Sequence, residues 1–249
     1  MICVSIVSHG HAAMLPSMIR RLLEFSSVTQ VIITFNIPEQ AELPINSRLQ
    51  LINNLAPKGF GANHNHAFSF CRAIYFCVLN PDIIFKEDPF PRLIEDISFY
   101  KADLVAPLVL NTQGEVEDSI RYFPKFYSLL KKMALNHKDS YFIDSDRTAF
   151  TSEWVAGMFM LFTAIGFGKL RGFDSKYYLY YEDVDICVRL WRLGLKLVVS
   201  PSVEVIHDAR RASRRNIHHM KMHFSSMFIY LLYQSWRLPN IRSLKNETT

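Results

Sequence analysis

The sequence predicts an α/β protein with a mostly parallel central sheet, flanking helices and a helical C-terminal extension. Short apolar runs alternate with helix-like stretches along the first half, which is the pattern of parallel strands joined by helices. Polar residues repeatedly follow the ends of these apolar runs. The chain of 249 residues is 49% hydrophobic, 13% aromatic and 20% charged, which is typical of a globular protein and excludes disordered, collagen-like and low-complexity chains.

Four strands and two helices are predicted in the first 80 residues. The apolar runs that predict strands cover residues 2–7, 31–35, 49–52 and 73–79. A helix with Pro16 near its start follows the first strand, and a second helix is predicted from about residue 63 to residue 71. Ligands bind at the carboxyl ends of the strands in open sheets of this kind, so the polar residues at those ends are candidate site residues.

The second half of the chain predicts a less regular mixture of elements. Helices are predicted over residues 91–100, about 126–133 and 182–193, and strands over residues 104–107, 154–162, 195–199 and 203–206. The polar stretch at 137–152 predicts a mobile loop. Because no internal repeat or interdomain linker is evident, we expect one domain whose first half resembles a nucleotide-binding fold and whose second half completes the site.

The C-terminal segment differs from the rest of the chain in charge. Residues 1–208 carry 20 basic and 22 acidic side chains, whereas residues 209–245 carry eight basic and no acidic ones. Such a segment suits an anionic partner, and phosphate, nucleic acid and an acidic membrane surface all remain open. It also predicts an amphipathic helix, which is more typical of a core or dimer face than of a membrane anchor. The apolar stripe of that helix comprises Phe224, Met227, Phe228, Leu231 and Leu232.

The cysteines and the start of the chain predict a cytoplasmic protein. The cysteines at positions 3, 71, 77 and 187 lack the spacing of a metal site and are too few for a disulfide scaffold, so we expect reduced thiols. The chain starts directly with a strand-like run, and no signal peptide is evident. The longest uncharged run, residues 154–168, is shorter than the ~18 to 20 apolar residues needed to cross a bilayer, so no transmembrane helix is expected.

Three carboxylates stand at the start of the helix predicted over residues 182–193. One interpretation is structural, because acidic side chains stabilise the first turn of a helix and Asp185 is spaced to pair with Arg189. The functional interpretation rests on the two tyrosines, ending at Tyr181, that directly precede Glu182 and Asp183. Sugars bind to surfaces lined by aromatic rings, and a carboxylate beside such a surface can accept a proton from a hydroxyl nucleophile.

Two further groups of polar residues follow predicted strands. Asn80 and Asp82 end the fourth strand, where they indicate either a turn or a carboxylate that binds a hard divalent cation. His207 is followed by a basic run that includes Arg211 and Ser213. A single histidine is usually structural and a basic run is usually a solvated face, but an imidazole can complete a metal shell while Arg and Ser side chains hold phosphate oxygens.

The glycines before the second helix lack the features of a phosphate-binding loop. Gly59-Phe60-Gly61 has neither the Lys and Ser or Thr of a P-loop nor the dinucleotide-binding pattern, which argues against ATPase and dehydrogenase activities. Packing is the expected role of these glycines. The histidines at positions 9, 11, 64 and 66 have no third matching ligand nearby, so zinc binding is not expected.

Together these segments resemble bacterial glycosyltransferases of family 2, particularly the rhamnosyltransferase-like branch, from residue 2 to about residue 230. The motifs occur in the family's order along the chain. By this resemblance, the donor nucleotide is bound by Ser8, His9, Asn36, Gly61, Asn63, Asn80, Arg211 and Ser213. The acceptor region comprises Trp154, Gly157 and Tyr181, the catalytic residues are Asp183 and Glu182, and the metal ligands are Asp82 and His207.

The resemblance implies a GT-A fold, with a Rossmann-like sheet, and an inverting mechanism. A nucleotide diphosphate sugar would lie across the carboxyl edge of the sheet, with Mg²⁺ or Mn²⁺ joining its diphosphate to Asp82 and His207. Asp183 would take the proton from the acceptor hydroxyl, while Glu182 would orient hydroxyl groups. Asn80 stands where the family's metal motif usually has its first carboxylate, which leaves Asp82 as the main carboxylate ligand.

The implied function is transfer of a sugar, with rhamnose as the first expectation, to a hydroxyl of a growing bacterial surface glycan or lipid-linked oligosaccharide. Transfer of a hexose from a uridine diphosphate sugar is the alternative. The expected arrangement is a nucleotide-binding half (1–110), an acceptor and catalytic half (111–208) and a basic amphipathic extension (209–249). The extension is expected to contact the inner face of the inner membrane, and a homodimer is a further expectation.

Two other classes of protein fit the sequence less well. A sugar-nucleotide pyrophosphorylase needs a Gly-rich loop with Arg and Lys after the first strand, and residues 8–11 do not supply it. A non-catalytic nucleic-acid-binding protein could hold phosphates through the C-terminal arginines alone. Residues 1–208 are slightly acidic and contain no recognised nucleic-acid-binding module, so no nucleic-acid partner is expected.

Overall fold

The structure is a computed structural model that describes residues 1–125, 148–208 and 217–241. The described residues form a main sheet of eight strands and a separate pair of strands. The strands of the main sheet are β1 Ile2–Ser8, β2 Val28–Phe35, β3 Leu49–Asn53, β4 Tyr75–Leu79, β5 Ile83–Phe85, β6 Leu104–Leu110, β9 Phe159–Thr163 and β10 Leu197–His207. The separate pair consists of β7 Ile120–Arg121 and β8 Trp154–Val155.

Most of the predicted helices are present in the structure. The described α-helices are α1 Leu15–Glu24, α2 Phe60–Phe68, α3 Phe90–Tyr100, α4 Ala164–Lys169, α5 Glu182–Arg192 and α6 Ile217–Tyr233. Short 3₁₀ helices cover Ala12–Met14 and Ser235–Arg237. The helix predicted at 126–133 and most of the loop predicted at 137–152 lie outside the described residues. The helical C-terminal extension is confirmed by α6.

The main sheet is mostly parallel, as the sequence predicts. Its strand order is β3-β2-β1-β4-β9-β6-β10-β5. β1 pairs in parallel with β2 and β4, β2 pairs in parallel with β3, and β6 pairs in parallel with β10. β9 runs antiparallel between β4 and β6, and β5 runs antiparallel to β10 at one edge. The carboxyl ends of β1, β2, β3, β4, β6 and β10 therefore all lie at the same edge of the sheet.

Helices cover both faces of the sheet, which explains why its central strands are continuous apolar runs. Along β1, Val4 and Ile6 pack on one face with the buried side of α1, whereas Cys3 packs on the other. The second face is covered by α2, α4 and α5, with Phe167 among the buried rings. The sheet therefore has a hydrophobic core on each face, and alternating residues of the same strands contribute to the two cores.

The structure corrects the predicted strand at 154–162 and the two strands predicted after residue 195. The first segment divides into β8 and β9, because the Ala156 amide donates to the Ser119 carbonyl and the Gly157 amide to Asp183 instead of joining a sheet. The predicted strands 195–199 and 203–206 are one strand, β10, whose pairing with β6 shifts register between Ser200 and Glu204. Gly157 is a sequence signal for the first break, because an isolated glycine in a strand-like run often marks an interruption.

The apolar stripe predicted for the C-terminal helix is divided by the structure. Met227 and Leu231 pack against the core beside the buried Tyr230. Phe224, Phe228 and Leu232 instead remain exposed, with 51%, 63% and 55% of their surface accessible. Among the described residues, no helix is long and apolar enough to cross a membrane.

Candidate active site

An amide network joins the ends of β1, β2 and β3. The Asn36 side-chain oxygen accepts hydrogen bonds from the Asn54 amide at 2.9 Å, the Asn63 amide at 3.1 Å and the Lys58 backbone at 2.8 Å. The Asn36 nitrogen lies 2.9 Å from the Lys58 carbonyl and 3.1 Å from His9 Nδ1. The structure thus brings the predicted residues Asn36, Asn63 and His9 together. It adds Asn54, whose sequence signal was its position just beyond a strand.

Ser8, at the end of β1, is fully buried and contacts the loop that follows β2. Its hydroxyl donates to Glu39 Oε2 at 3.0 Å, and the Ala12 amide donates to the same oxygen at 2.9 Å. The same loop borders an open cavity of about 540 Å³, whose lining includes Ile37, Glu39 and Asn54. The cavity and the amide network share Asn54, so both belong to one region of the sheet edge.

The glycines at the start of α2 pack against the second half of the chain. A Cβ atom on Gly61 would lie 2.5 Å from Phe173 Cβ, and one on Gly59 would lie 2.6 Å from the Tyr178 carbonyl oxygen. Asn65 holds the same segment, because it exchanges two 2.8 Å hydrogen bonds with the backbone of Phe173. The structure therefore gives Gly61 the packing role expected from its sequence, and it does not bring Gly61 into the amide network.

Asp82 and His207 meet beside the edge strand β5. His207 is paired with Ile83 in the sheet, and the Asp208 amide donates to the Asp82 carbonyl at 2.8 Å. His207 Nε2 lies 3.1 Å from Asp82 Oδ2, while its Nδ1 lies 2.7 Å from Glu117 Oε2. Asp82 Oδ1 is buried and has no hydrogen-bond partner among the described residues. The predicted pair is thus brought together, and Glu117 is an addition.

The chemistry of this group fits a divalent cation. Asp82 Oδ1 is a buried carboxylate oxygen free to bind an ion, and His207 offers a nitrogen beside it. Burial would lower the pKa of His207, but hydrogen bonds to Asp82 and Glu117 and their charges outweigh it and raise the pKa to about 9, so a cation at Nε2 would displace a proton from the ring. Within the described ranges, no group of three His, Cys, Asp or Glu side chains could hold a metal ion by itself. Arg211 and Ser213 lie outside the described residues.

Asp183 is held at the start of α5 by backbone amides. Tyr180 and Tyr181, directly before the helix, both adopt left-handed conformations, with φ values of 69° and 65°. Asp183 Oδ2 accepts from the Gly157 amide at 3.1 Å, and Oδ1 accepts from the Val184 amide at 2.9 Å. Burial raises the pKa of Asp183, and these amides oppose the rise. Asp183 therefore combines a fixed position with a proton affinity above that of an ordinary aspartate.

The two neighbouring carboxylates have different environments. Glu182 is only 5% exposed, and burial followed by the charge on Asp183 raises its pKa well above the ordinary value. Asp185 is fully buried and pairs with Arg189 at 2.7 Å, as its spacing predicts. Arg189 also donates to the Gly172 carbonyl at 2.9 Å. Asp185 is thus a structural residue, and Glu182 and Asp183 remain the catalytic candidates.

Trp154 and Arg121 lie on the strand pair beside Asp183. The buried Trp154 ring donates through Nε1 to the Tyr122 carbonyl at 2.9 Å, and the Arg121 guanidinium lies 5.4 Å from the ring centre. Arg121 also pairs with Asp118 at 2.8 Å, and its charge opposes the rise in the pKa of Asp183. No sequence signal distinguished Arg121, because an isolated arginine in an irregular stretch resembles any surface cation.

The Asp82 loop and Asp183 lie at the same edge of the sheet. The Asn80 amide donates to the Met158 carbonyl at 2.9 Å. The preceding residue, Gly157, donates its amide to Asp183 at 3.1 Å. Two consecutive residues therefore contact both groups, which places the Asp82 loop and the half-buried Asp183 carboxylate close together at this edge.

A mostly parallel sheet with helices on both faces and acidic groups at its carboxyl edge is the architecture of a GT-A glycosyltransferase. The family model "Glycosyl transferase family 2" matches residues 3–152, and the chain belongs to this family. The predicted family and fold class are confirmed.

Two relatives of known activity are rhamnosyltransferases. The chain is 26% identical to rhamnosyltransferase WbbL of Escherichia coli, over 93% of this chain and 92% of the relative. It is 28% identical to N-acetylglucosaminyl-diphospho-decaprenol L-rhamnosyltransferase of Mycobacterium tuberculosis, over 65% of this chain and 57% of the relative.

Solved structures confirm the fold. A Pyrobaculum calidifontis mannosyltransferase, in complex with GDP-Man and Mn²⁺, superposes with a TM-score of 0.62 at 12% identity, covering 99% of this chain and 68% of that one. GalNAc-T7 with UDP, GalNAc and Mn²⁺ superposes with a TM-score of 0.60 at 15% identity, covering 84% of this chain and 44% of that one.

Proposed function

We propose that this protein is an inverting, metal-dependent glycosyltransferase, a single GT-A domain that moves rhamnose from a nucleotide diphosphate sugar to a hydroxyl of a bacterial surface glycan. The observation that carries this proposal is the shared contact of the Asp82 loop and Asp183 with the adjacent residues Gly157 and Met158. The rhamnosyltransferase relatives support the choice of sugar. Transfer of a hexose from a uridine diphosphate sugar is the alternative.

Donor binding is assigned to the polar edge of the first half of the chain. The nucleoside lies against the amide network around Asn36, in the cavity beside Glu39. Asp82 and His207 would hold Mg²⁺ or Mn²⁺, which when bound neutralises the charge of the diphosphate leaving group. Arg211 and Ser213 are proposed to contact the phosphates, because their side chains match phosphate oxygens chemically.

Asp183 is the proposed general base. Its carboxylate takes the proton of the acceptor hydroxyl as the hydroxyl oxygen forms a bond to the anomeric carbon and the bond to the diphosphate breaks on the opposite face. This displacement inverts the anomeric centre. The two backbone hydrogen bonds keep the carboxylate fixed during the proton transfer, and burial raises its pKa, which strengthens it as a base.

The acceptor is proposed to lie over Gly157 and Tyr181, with Trp154 supporting the strand below. Gly157 is only partly buried and touches Asp183, so an acceptor there would present its hydroxyl to the base. Glu182 is proposed to orient hydroxyl groups through its carboxyl group, which lies one residue from Asp183 and has one oxygen without a hydrogen-bond partner among the described residues.

A thermal-shift screen tests the donor assignment. We expect deoxythymidine diphosphate rhamnose with Mn²⁺ to raise the unfolding temperature more than either component alone, because a ligand that binds only the folded state stabilises it. A larger shift with uridine diphosphate hexoses would favour the alternative donor. The matched variant Asp82→Asn should lose the Mn²⁺-dependent part of the shift. No shift with any nucleotide sugar would contradict the proposal.

The C-terminal extension is proposed to contact the cytoplasmic face of the inner membrane, where a lipid-linked acceptor would be located. Its exposed apolar side chains, Phe224, Phe228 and Leu232, lie in a segment with excess positive charge. We expect the protein to sediment with vesicles that contain phosphatidylglycerol and the double variant Phe224→Ser/Phe228→Ser to remain in solution. If the wild type ignores vesicles but is dimeric and the variant is monomeric, the face is a homodimer interface instead.

A further inference from the structure

The carboxylate of Glu117 lies on the side of the His207 ring that faces away from Asp82. Its Oε2 atom is 2.7 Å from Nδ1, while Nε2 on the other side of the ring is 3.1 Å from Asp82. We propose that Glu117 is a positioning residue, which fixes the His207 ring so that Nε2 and Asp82 together bind the divalent cation. This inference rests on the proposed function, because it assumes that Asp82 and His207 hold a cation.

The backbone around Glu117 is itself fixed, so its carboxylate has a defined position. The Glu117 amide donates to the Val109 carbonyl on β6 at 2.8 Å, and the Ser119 amide donates to the Glu117 carbonyl at 2.8 Å. Val116, directly before it, forms a β-bridge with Leu110. Glu117 is therefore an extension of the sheet edge, and its side chain is only 19% exposed.

The geometry assigns Glu117 an indirect role. The two nitrogens of an imidazole point away from each other, so a carboxylate hydrogen-bonded at Nδ1 cannot reach an ion bound at Nε2 of the same ring. It can keep the proton on Nδ1 and hold the ring plane, which leaves the Nε2 lone pair for the ion. Such outer carboxylates typically contribute 10- to 100-fold to metal affinity.

The unpartnered oxygen of Asp82 gives independent support. Oδ1 is buried without a hydrogen-bond partner among the described residues, on the same carboxylate whose other oxygen contacts Nε2. A buried carboxylate oxygen left in this way costs free energy unless a ligand binds it. Glu117 thus contacts His207, His207 contacts Asp82, and Oδ1 of Asp82 is the atom available to bind a cation.

The test measures the affinity of the full chain for Mn²⁺ in the presence of saturating deoxythymidine diphosphate, from the electron paramagnetic resonance signal of free Mn²⁺. We expect Glu117→Ala to weaken Mn²⁺ binding 10- to 100-fold. Glu117→Gln should lose less, because its carbonyl oxygen can still accept the Nδ1 hydrogen bond. The matched control is Glu115→Gln, which changes an exposed carboxylate bonded to Asn111 and should leave the affinity unchanged.

A second readout separates positioning from general damage. Affinity for the nucleotide without metal should be the same in Glu117→Gln and wild type, because it does not depend on the His207 ring being aimed at an ion. Equal Mn²⁺ affinity in wild type and both variants would overturn the role of Glu117 while leaving the proposed function intact. Absence of Mn²⁺ binding to the wild type with any nucleoside diphosphate would overturn both.

Discussion

The two carboxylates at the sheet edge, Asp82 and Asp183, are held in opposite ways. Asp82 contacts a side chain, His207, through one oxygen, and its other oxygen is without a hydrogen-bond partner among the described residues. Asp183 accepts backbone hydrogen bonds on both oxygens, from Gly157 and Val184. The first arrangement leaves capacity for a ligand, whereas the second fixes a group in one position. This difference matches the separate tasks proposed for the two residues, which are binding a cation and accepting a proton.

The largest expected effect comes from exchanging the two carboxylates for amides. Asp183→Asn should lower kcat by about 10² to 10⁴-fold, because a general base contributes that much, while donor affinity stays within about twofold. Asp82→Asn should instead weaken donor binding in the presence of Mn²⁺. Steady-state kinetics and calorimetric donor titrations would measure both. The comparison fails if the two variants show the same pattern, and Glu95→Gln on the exposed side of α3 is the neutral control.

The structural role of Asp185 is tested next by removing Arg189. Arg189→Met leaves the fully buried Asp185 without its cation, which should lower the free energy of unfolding by about 3–5 kcal/mol. Gln234, after α6, also donates a hydrogen bond to Asp185, so the substitution should also destabilise the packing of the C-terminal segment. Urea denaturation gives the value. Arg21→Met, which breaks an exposed pair with Glu24, should cost less than about 1 kcal/mol.

A smaller effect is expected where α2 packs against the segment leading to α5. Gly61→Ala places a methyl group 2.5 Å from Phe173 Cβ, and the resulting shift should cost about 1–3 kcal/mol. Gly168→Ala is the matched control, because its methyl group would have no neighbour within 4 Å and should stabilise α4 by about 0.5–1 kcal/mol. The unfolding temperatures of the two variants measure this difference. Equal stability would show that Phe173 moves aside at little cost in free energy.

The smallest expected effect is a dependence of stability on pH from His64, which lies between Phe60 and Phe173. Burial lowers the pKa of His64 from 6.5 to about 3, so the folded protein keeps it neutral while the unfolded chain protonates. Its contribution is therefore intact above pH 6.5 and is lost as the pH falls toward 3, by about 1–2 kcal/mol between pH 7 and pH 5. His64→Gln should flatten this slope in denaturation measured at each pH, and an unchanged slope would contradict the assignment.

The first half of the site could be predicted because its residues stand at the ends of regular strands. Ser8, Asn36 and Asp82 each follow an apolar run, and parallel strands bring such ends to one edge. The positions of the helices followed from the same alternation. Asn54 also follows a strand, β3, so the same rule would include it among the candidate residues.

The second half resisted prediction because its site residues depend on irregular backbone. Gly157 interrupts an apolar run, but nothing in that run indicates that its amide binds Asp183. Arg121 lies beside the site through the strand pair β7 and β8, and Glu117 contacts His207, which is 90 residues away in the chain; local sequence patterns do not encode such contacts. The role proposed for Asp183 came from the resemblance to a family, but its hydrogen bonds could not be predicted in that way.

The left-handed turn at Tyr180 and Tyr181 has a consequence for engineering this protein. Each such residue stores about 1–3 kcal/mol of backbone strain, which Gly or Asn would relieve. The aromatic rings are nevertheless retained by packing: Tyr180 against His219 and His223, and Tyr181 against Tyr230. Replacing either tyrosine by Gly or Asn would therefore relieve the turn but also remove a packed aromatic ring, so such variants should be screened for stability and activity together.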